Sequence, residues 1–164
     1  SVFVSGCHHH CKGCFNECAW DFGYGNKFDE DAKEKVINYM NHDYIKGLSL
    51  LGGEPLEPSN QEGLLPLVKE VKEKFPDKTI WCYTGYDFQK DIVDGMNKTN
   101  PTTKELLKYI DVVVDGKFDE NQKSPKLRFR GSANQRILDA QETIKEDKPV
   151  EIPSLYEKDR PTFK

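Results

Sequence analysis

At 164 residues the chain falls well short of the roughly 250 of a complete eight-stranded α/β barrel, yet it carries ample material for one domain with its own core. A formal net charge of −4 with no block of lysine or arginine argues against a nucleic-acid surface, and no apolar run approaches the roughly 18 residues that span a bilayer. Five cysteines, three of them clustered near the start, fit a reducing compartment where thiolates serve a metal rather than disulfides; with no signal-peptide pattern, a cytoplasmic protein is expected.

Val2-Phe3-Val4-Ser5-Gly6 reads as a buried strand that delivers Cys7 at its C-terminal end, where α/β folds place their chemistry. Cys7, Cys11 and Cys14 follow in the spacing C-x3-C-x2-C. One loop of this kind can wrap its thiolates around a compact soft metal centre. A structural zinc site wants two ligand pairs separated by a longer stretch, and the only later cysteine beyond the loop is Cys82. An iron–sulfur cluster tolerates the tight run. Counting Cys18 brings the pattern near the four-cysteine ferredoxin spacing, although Ala19 stands where that pattern has proline. With three protein ligands, a cubane keeps one iron open, as a catalytic metal requires. His8, His9 and His10 sit between the cysteines and are expected to be solvated or to support the site from behind.

The glycine- and aromatic-rich stretch Trp20 to Gly25 predicts a loop packed over the site. Asp29 to Asn41 is helical, with Ala32, Val36 and Met40 on one stripe and acidic residues in the first turn. Gly47 to Leu51 is the second strand and ends in Gly52-Gly53-Glu54-Pro55. A capping box, Ser59-x-x-Glu62, is expected to open a helix carrying Leu64, Val68, Val71 and Phe75. Thr79 to Tyr83 is the third strand, with Cys82 as a small core residue, and it runs into Thr84-Gly85-Tyr86 and a short helix to about Val93. Thr102-x-x-Glu105 is expected to cap a helix through Tyr109, and Asp111 to Asp115 is the fourth strand. The alternation predicts a parallel sheet with right-handed crossovers. Beyond Gly116 the periodicity weakens: Ile137-Leu138 begins a strand or a helix, Val150 to Ile152 is a candidate edge strand, and 154–164 reads as a mobile tail after a domain over 1–153.

The cluster loop followed by an aromatic and Asn resembles that of the radical S-adenosylmethionine (SAM) superfamily. Five further stretches are similar to the activating proteins of anaerobic (class III) ribonucleoside-triphosphate reductase: Phe3 to Cys7, Gly52 to Pro55, Tyr83 to Tyr86, Asp115 to Phe118 and Arg130 to Arg136. The resemblance spans residues 3 to about 136. The alternation of strands and helices points to a partial, open (β/α) barrel of about five or six mostly parallel strands, and the resemblance implies an N-terminal segment ahead of Ser1.

The resemblance further implies a [4Fe-4S] cluster on Cys7, Cys11 and Cys14, with Cys18 a bystander. SAM would chelate the open iron, and reductive cleavage would give a 5′-deoxyadenosyl radical that abstracts hydrogen from a glycine of the reductase. An electron would come from a low-potential donor such as a flavodoxin. Candidate cofactor contacts are Gly13, Cys14 and Phe15, the last beside the adenine, Gly52, Gly53 and Glu54 at the methionine amine, with Glu54 alternatively a structural anchor for the loop, and Thr84 and Asp115 at a ribose or carboxylate. Arg128, Arg130 and Arg136 stay open between the SAM carboxylate, a partner protein and solvent. Alternatives are an activase of another glycyl-radical enzyme such as pyruvate formate-lyase, radical chemistry on a small molecule, or a ferredoxin-like carrier using all four loop cysteines.

Overall fold

The computed structural model describes residues 1–14, 20–23, 25 and 28–156. Among them five strands form one open sheet in the order β1 (Val2–Val4), β2 (Gly47–Gly52), β3 (Thr79–Tyr83), β4 (Val112–Asp115) and β5 (Arg136–Asp139). The first four are parallel, with Val2 opposite Leu50, Leu50 opposite Cys82, and Cys82 opposite Val113. β5 departs from the expected parallel pattern and pairs with β4 antiparallel, Val113 facing Leu138. The cause lies in residues 116–135, which carry no crossover helix. The connection leaves and returns at the same end of the sheet, so the next strand must run back.

Helices α1 (Glu30–Met40), α2 (Pro58–Lys74), α3 (Asn97–Thr99) and α4 (Pro101–Leu107) lie between these strands, with a π-helical segment at Phe88–Met96 ahead of α3, and α5 (Ala140–Glu146) follows β5. Period-two alternation along the strands decides which residues they meet. Leu48, Leu50, Ile80, Cys82, Val113 and Leu138 enter one cluster with Ile37, Leu67, Val71, Ile92 and Leu106 from the helical layer. Cys82 is thus the small core residue its strand position implied, and burial pushes its thiol well up. The alternate residues Trp81, Tyr83, Val112, Val114 and Ile137 belong to a second cluster closed by Ile152, Leu155 and Tyr156. The Tyr156 hydroxyl fixes this closure by accepting from the Ile137 N–H at 2.8 Å. The tail beyond, 157–164, lies outside the described residues. Val150 to Ile152 contributes only an isolated bridge, Glu151 to Leu138, between two prolines that cannot donate to a ladder.

Two helix starts differ from the capping boxes expected for them. α2 begins at Pro58, whose fixed φ suits the first helical position, so Ser59 lies inside the helix. Its N-cap residue Glu57 makes no side-chain cap, because that carboxylate is turned towards His8 and Tyr86. α4 is capped by Asn100, which accepts from Thr102 N–H at 2.9 Å, and ends at Leu107. No helix among the described residues is long and apolar enough to cross a membrane.

Candidate active site

Parallel strands deliver their C-terminal ends to one edge of the sheet, and the site is built there. A cavity of about 180 Å³ is lined by Cys7, Cys11 and Cys14, by Gly52, Gly53 and Glu54 after β2, and by Thr84 and Gly85 after β3. Gly116, Phe118, Gly131 and Gln135 close its far side. The three cysteines picked out by spacing therefore share one hollow with the Gly-Gly strand end.

The loop's shape follows from local bonds. Cys7 N–H donates to the Trp20 carbonyl at 3.1 Å, which ties the end of β1 to the far side of the loop. Cys14 N–H reaches back to the Cys11 carbonyl at 3.2 Å, closing a turn. Gly13 takes φ +77° in that turn, and a Cβ there would stand 3.0 Å from the Glu120 side chain. Gly13 therefore shapes the turn that sets the last two cysteines side by side. Burial pushes the Cys7 thiol up, opposed by backbone hydrogen bonds from His9 and His10; burial likewise raises Cys11, opposed by a backbone bond from Phe118. Backbone donors at cysteine sulfur are what an iron–sulfur site uses to hold thiolates and set potential. Among the described residues no three His, Cys, Asp or Glu side chains converge as ligands of a single ion. Cubane thiolates bind separate irons and need no such convergence, so the donor set fits a cluster.

Glu54 holds this edge together. It is 0 % exposed. Oε1 accepts from Gly85 N–H and pairs with His9 Nε2, both at 2.7 Å; Oε2 accepts from Thr84 Oγ1 at 2.7 Å and Leu56 N–H at 2.9 Å. One carboxylate thus joins the ends of β2 and β3 to the cysteine loop. Its side chain is an anchor between these segments. Thr84 is likewise used internally, donating to Glu54 and accepting from Tyr86 N–H at 3.1 Å.

Glu57 extends the anchoring to His8 Nδ1 at 2.9 Å and the Tyr86 hydroxyl at 3.2 Å. Burial, then Glu57 and Glu54, raise the Tyr86 pKa far above its usual range, so it stays a neutral donor. His9 lines the cavity with the cysteines, its side chain nearly buried and its ring edge-on to Tyr86, whereas His8 is largely exposed.

Gly52 has φ +107°, and a Cβ on it would lie 2.6 Å from the Val4 carbonyl oxygen. Its freedom serves the pairing of β2 with β1. Gly53, whose N–H donates to Val4 O at 2.7 Å, stays on the cavity wall. Asp115 is 1 % exposed and does not line the cavity: Arg136 grips it through Nε at 3.0 Å and Nη2 at 2.6 Å, and Phe88 N–H donates to it at 2.8 Å. Arg136 is thereby committed to structure, and Arg130 donates to the Ala133 and Gln135 carbonyls while stacking on Tyr156. Arg128 lies over the Phe129 ring. Phe15 and Cys18 lie outside the described residues.

Trp20, Phe118, Gly131 and Gln135 are wall residues that spacing did not single out. Gln135 is the most constrained, accepting from Gly131 and Ser132 N–H and donating to the Gly116 carbonyl.

Residues 1–138 match the family described as "4Fe-4S single cluster domain". A protein of Haemophilus influenzae named anaerobic ribonucleoside-triphosphate reductase-activating protein is 47% identical over 139 residues, covering 84% of each chain. The chain belongs to this family of activating proteins. The activating protein of Enterobacteria phage T4 is 42% identical over 136 residues, 83% of this chain and 80% of its own, and that of Escherichia coli K12 is 39% identical over 139 residues, 84% and 85%. No solved structure matches the chain.

Proposed function

We propose that this protein holds a [4Fe-4S] cluster on Cys7, Cys11 and Cys14, binds SAM beside it, and raises a glycyl radical on anaerobic ribonucleoside-triphosphate reductase. The observation that carries this reading is the shared cavity of the three cysteines and the Gly52-Gly53 strand end, in a family whose members bear the activating-protein name. When bound, the cluster supplies the electron that cleaves the sulfonium of SAM. The chain supplies position and exclusion of water. Cys7, Cys11 and Cys14 hold three irons, the backbone at Gly53 receives the methionine amine, and Glu54 keeps the ends of β2 and β3 fixed relative to the cysteine loop. Thr84 lines the wall while bonded to Glu54, and Asp115 supports it from behind; Gly13 shapes the turn, and Phe15 is kept as the residue beside the adenine.

We read the sheet as part of a barrel. Helices on one face and a second, partly open face with Phe3 64 % exposed support that shape, and the open side would admit a loop of the partner. The proposed setting is a reducing cytoplasm, with electrons from a low-potential donor such as a flavodoxin. Mixing this protein, SAM, a reductant and the anaerobic reductase should give a glycyl radical by electron paramagnetic resonance. A radical raised only on pyruvate formate-lyase would reassign the partner, and no radical on either would reject the reading.

Gly53→Ala is expected to weaken SAM binding about tenfold or more while leaving four irons in place, because Gly53 lines the cavity and an added methyl would crowd the proposed approach of the amine; a tenfold loss corresponds to about 1.4 kcal/mol. Isothermal titration with the reconstituted protein reads it. Unchanged affinity would return Gly53 to a simple turn.

A further inference from the structure

We propose that the Trp20 indole N–H donates a hydrogen bond to a sulfur of the iron–sulfur cluster and so helps set its reduction potential. This rests on the cluster reading above. Trp20 lines the cavity with the three cysteines, its Nε1 is closed off from solvent, and among the described residues that atom has no hydrogen-bond partner. Buried donors are nearly always paired, so an orphan on the wall of a site marks a partner that binds there. An indole nitrogen is only a donor, which restricts that partner to an acceptor. Cluster sulfides and cysteine thiolates are acceptors carrying negative charge.

Trp20 is also held in place from two sides. Its carbonyl receives the Cys7 N–H at 3.1 Å, and its ring stacks on His10 with centroids 4.4 Å apart and an interplanar angle of 13°. His10 and the residue bonded to the Trp20 backbone, Cys7, both belong to the cysteine loop. The indole is therefore fixed relative to the cysteines themselves. Donors to cluster sulfur stabilise the more negative, reduced form, so this one raises the potential. Trp20 is a positioning and tuning residue in this assignment.

The test uses the full chain, reconstituted anaerobically with iron and sulfide and studied without SAM. Trp20→Phe keeps the stacked ring and removes the donor; it should retain four irons and shift the midpoint potential to more negative values. In unmutated protein enriched with indole-15N tryptophan, pulsed electron paramagnetic resonance of the reduced cluster should show a 15N coupling that survives Trp81→Phe. If Trp20→Phe fails to take up a cluster, the labelled unmutated protein decides alone. An unmoved potential with no 15N coupling would overturn the proposal, as would an unmoved potential with weakened SAM affinity, which would assign the N–H to SAM. Loss of SAM cleavage with the coupling intact would count against the proposed activity and leave this inference standing.

Discussion

Cys7→Ala, Cys11→Ala and Cys14→Ala are each expected to abolish SAM cleavage, to below about 1 % of the unmutated rate, because catalytic effects of this kind span several factors of ten, each about 1.4 kcal/mol. The reason is stoichiometric. A cubane with three protein ligands and one open iron has no spare thiolate, so losing one detaches an iron and the remaining cluster no longer presents a site for SAM. Cys18→Ala separates the enzyme from a ferredoxin-like carrier. With three ligands, Cys18 is a bystander and its alanine variant keeps four irons and cleavage; with four ligands, every iron is occupied and the same substitution costs the cluster. Iron content and cleavage rate measured on all four variants decide it. Retained cleavage in any of the first three, or loss of the cluster in Cys18→Ala alone, would contradict the assignment.

Glu54→Ala should be among the most destabilising single substitutions. It removes one acceptor from Leu56 N–H, Thr84 Oγ1, Gly85 N–H and His9 at once, all in a buried setting. Each orphaned buried donor costs about 1–3 kcal/mol, and partial relaxation brings the total to about 4 kcal/mol. For a chain of this size that is a fall of about 8–16 °C in Tm. Glu54→Gln should lose roughly half as much, since its amide keeps one acceptor oxygen and turns an N–H group towards donors. Thermal unfolding of the cluster-free protein reads both. A change below about 1 kcal/mol for Glu54→Ala would show that the carboxylate faces the cavity rather than the protein.

This carboxylate also marks how far the sequence could be read. β1, β3 and β4 were legible because continuous apolar runs end in glycine or threonine turns, and the cysteine spacing needed nothing beyond the loop itself. Glu54 was legible as a cofactor contact or as an anchor of its loop, but its partners were not. Its partners lie 30 residues away at Thr84 and 45 at His9, and no local pattern encodes such pairing. The same holds for Asp115, whose position after a strand suggested a ligand contact but whose partner Arg136 arrives on β5. β5 itself was ambiguous because Arg136 to Asp139 is four residues long and precedes a helix directly. The capping boxes failed for a related reason. Ser59 and Thr102 match the local pattern, yet Pro58 and Pro101 had already begun each helix, and at α2 the N-cap carboxylate of Glu57 serves the cysteine loop instead.

The most direct test of the central claim is 5′-deoxyadenosine formation. The protein is reconstituted anaerobically with iron and sulfide, reduced in the presence of SAM, and the product is quantified by chromatography. The three-cysteine site with its open iron predicts 5′-deoxyadenosine and methionine in equal amounts, dependent on the cluster and on the reductant. A fully loaded, fully reduced cluster that leaves SAM intact, alone and with the anaerobic reductase present, would contradict it.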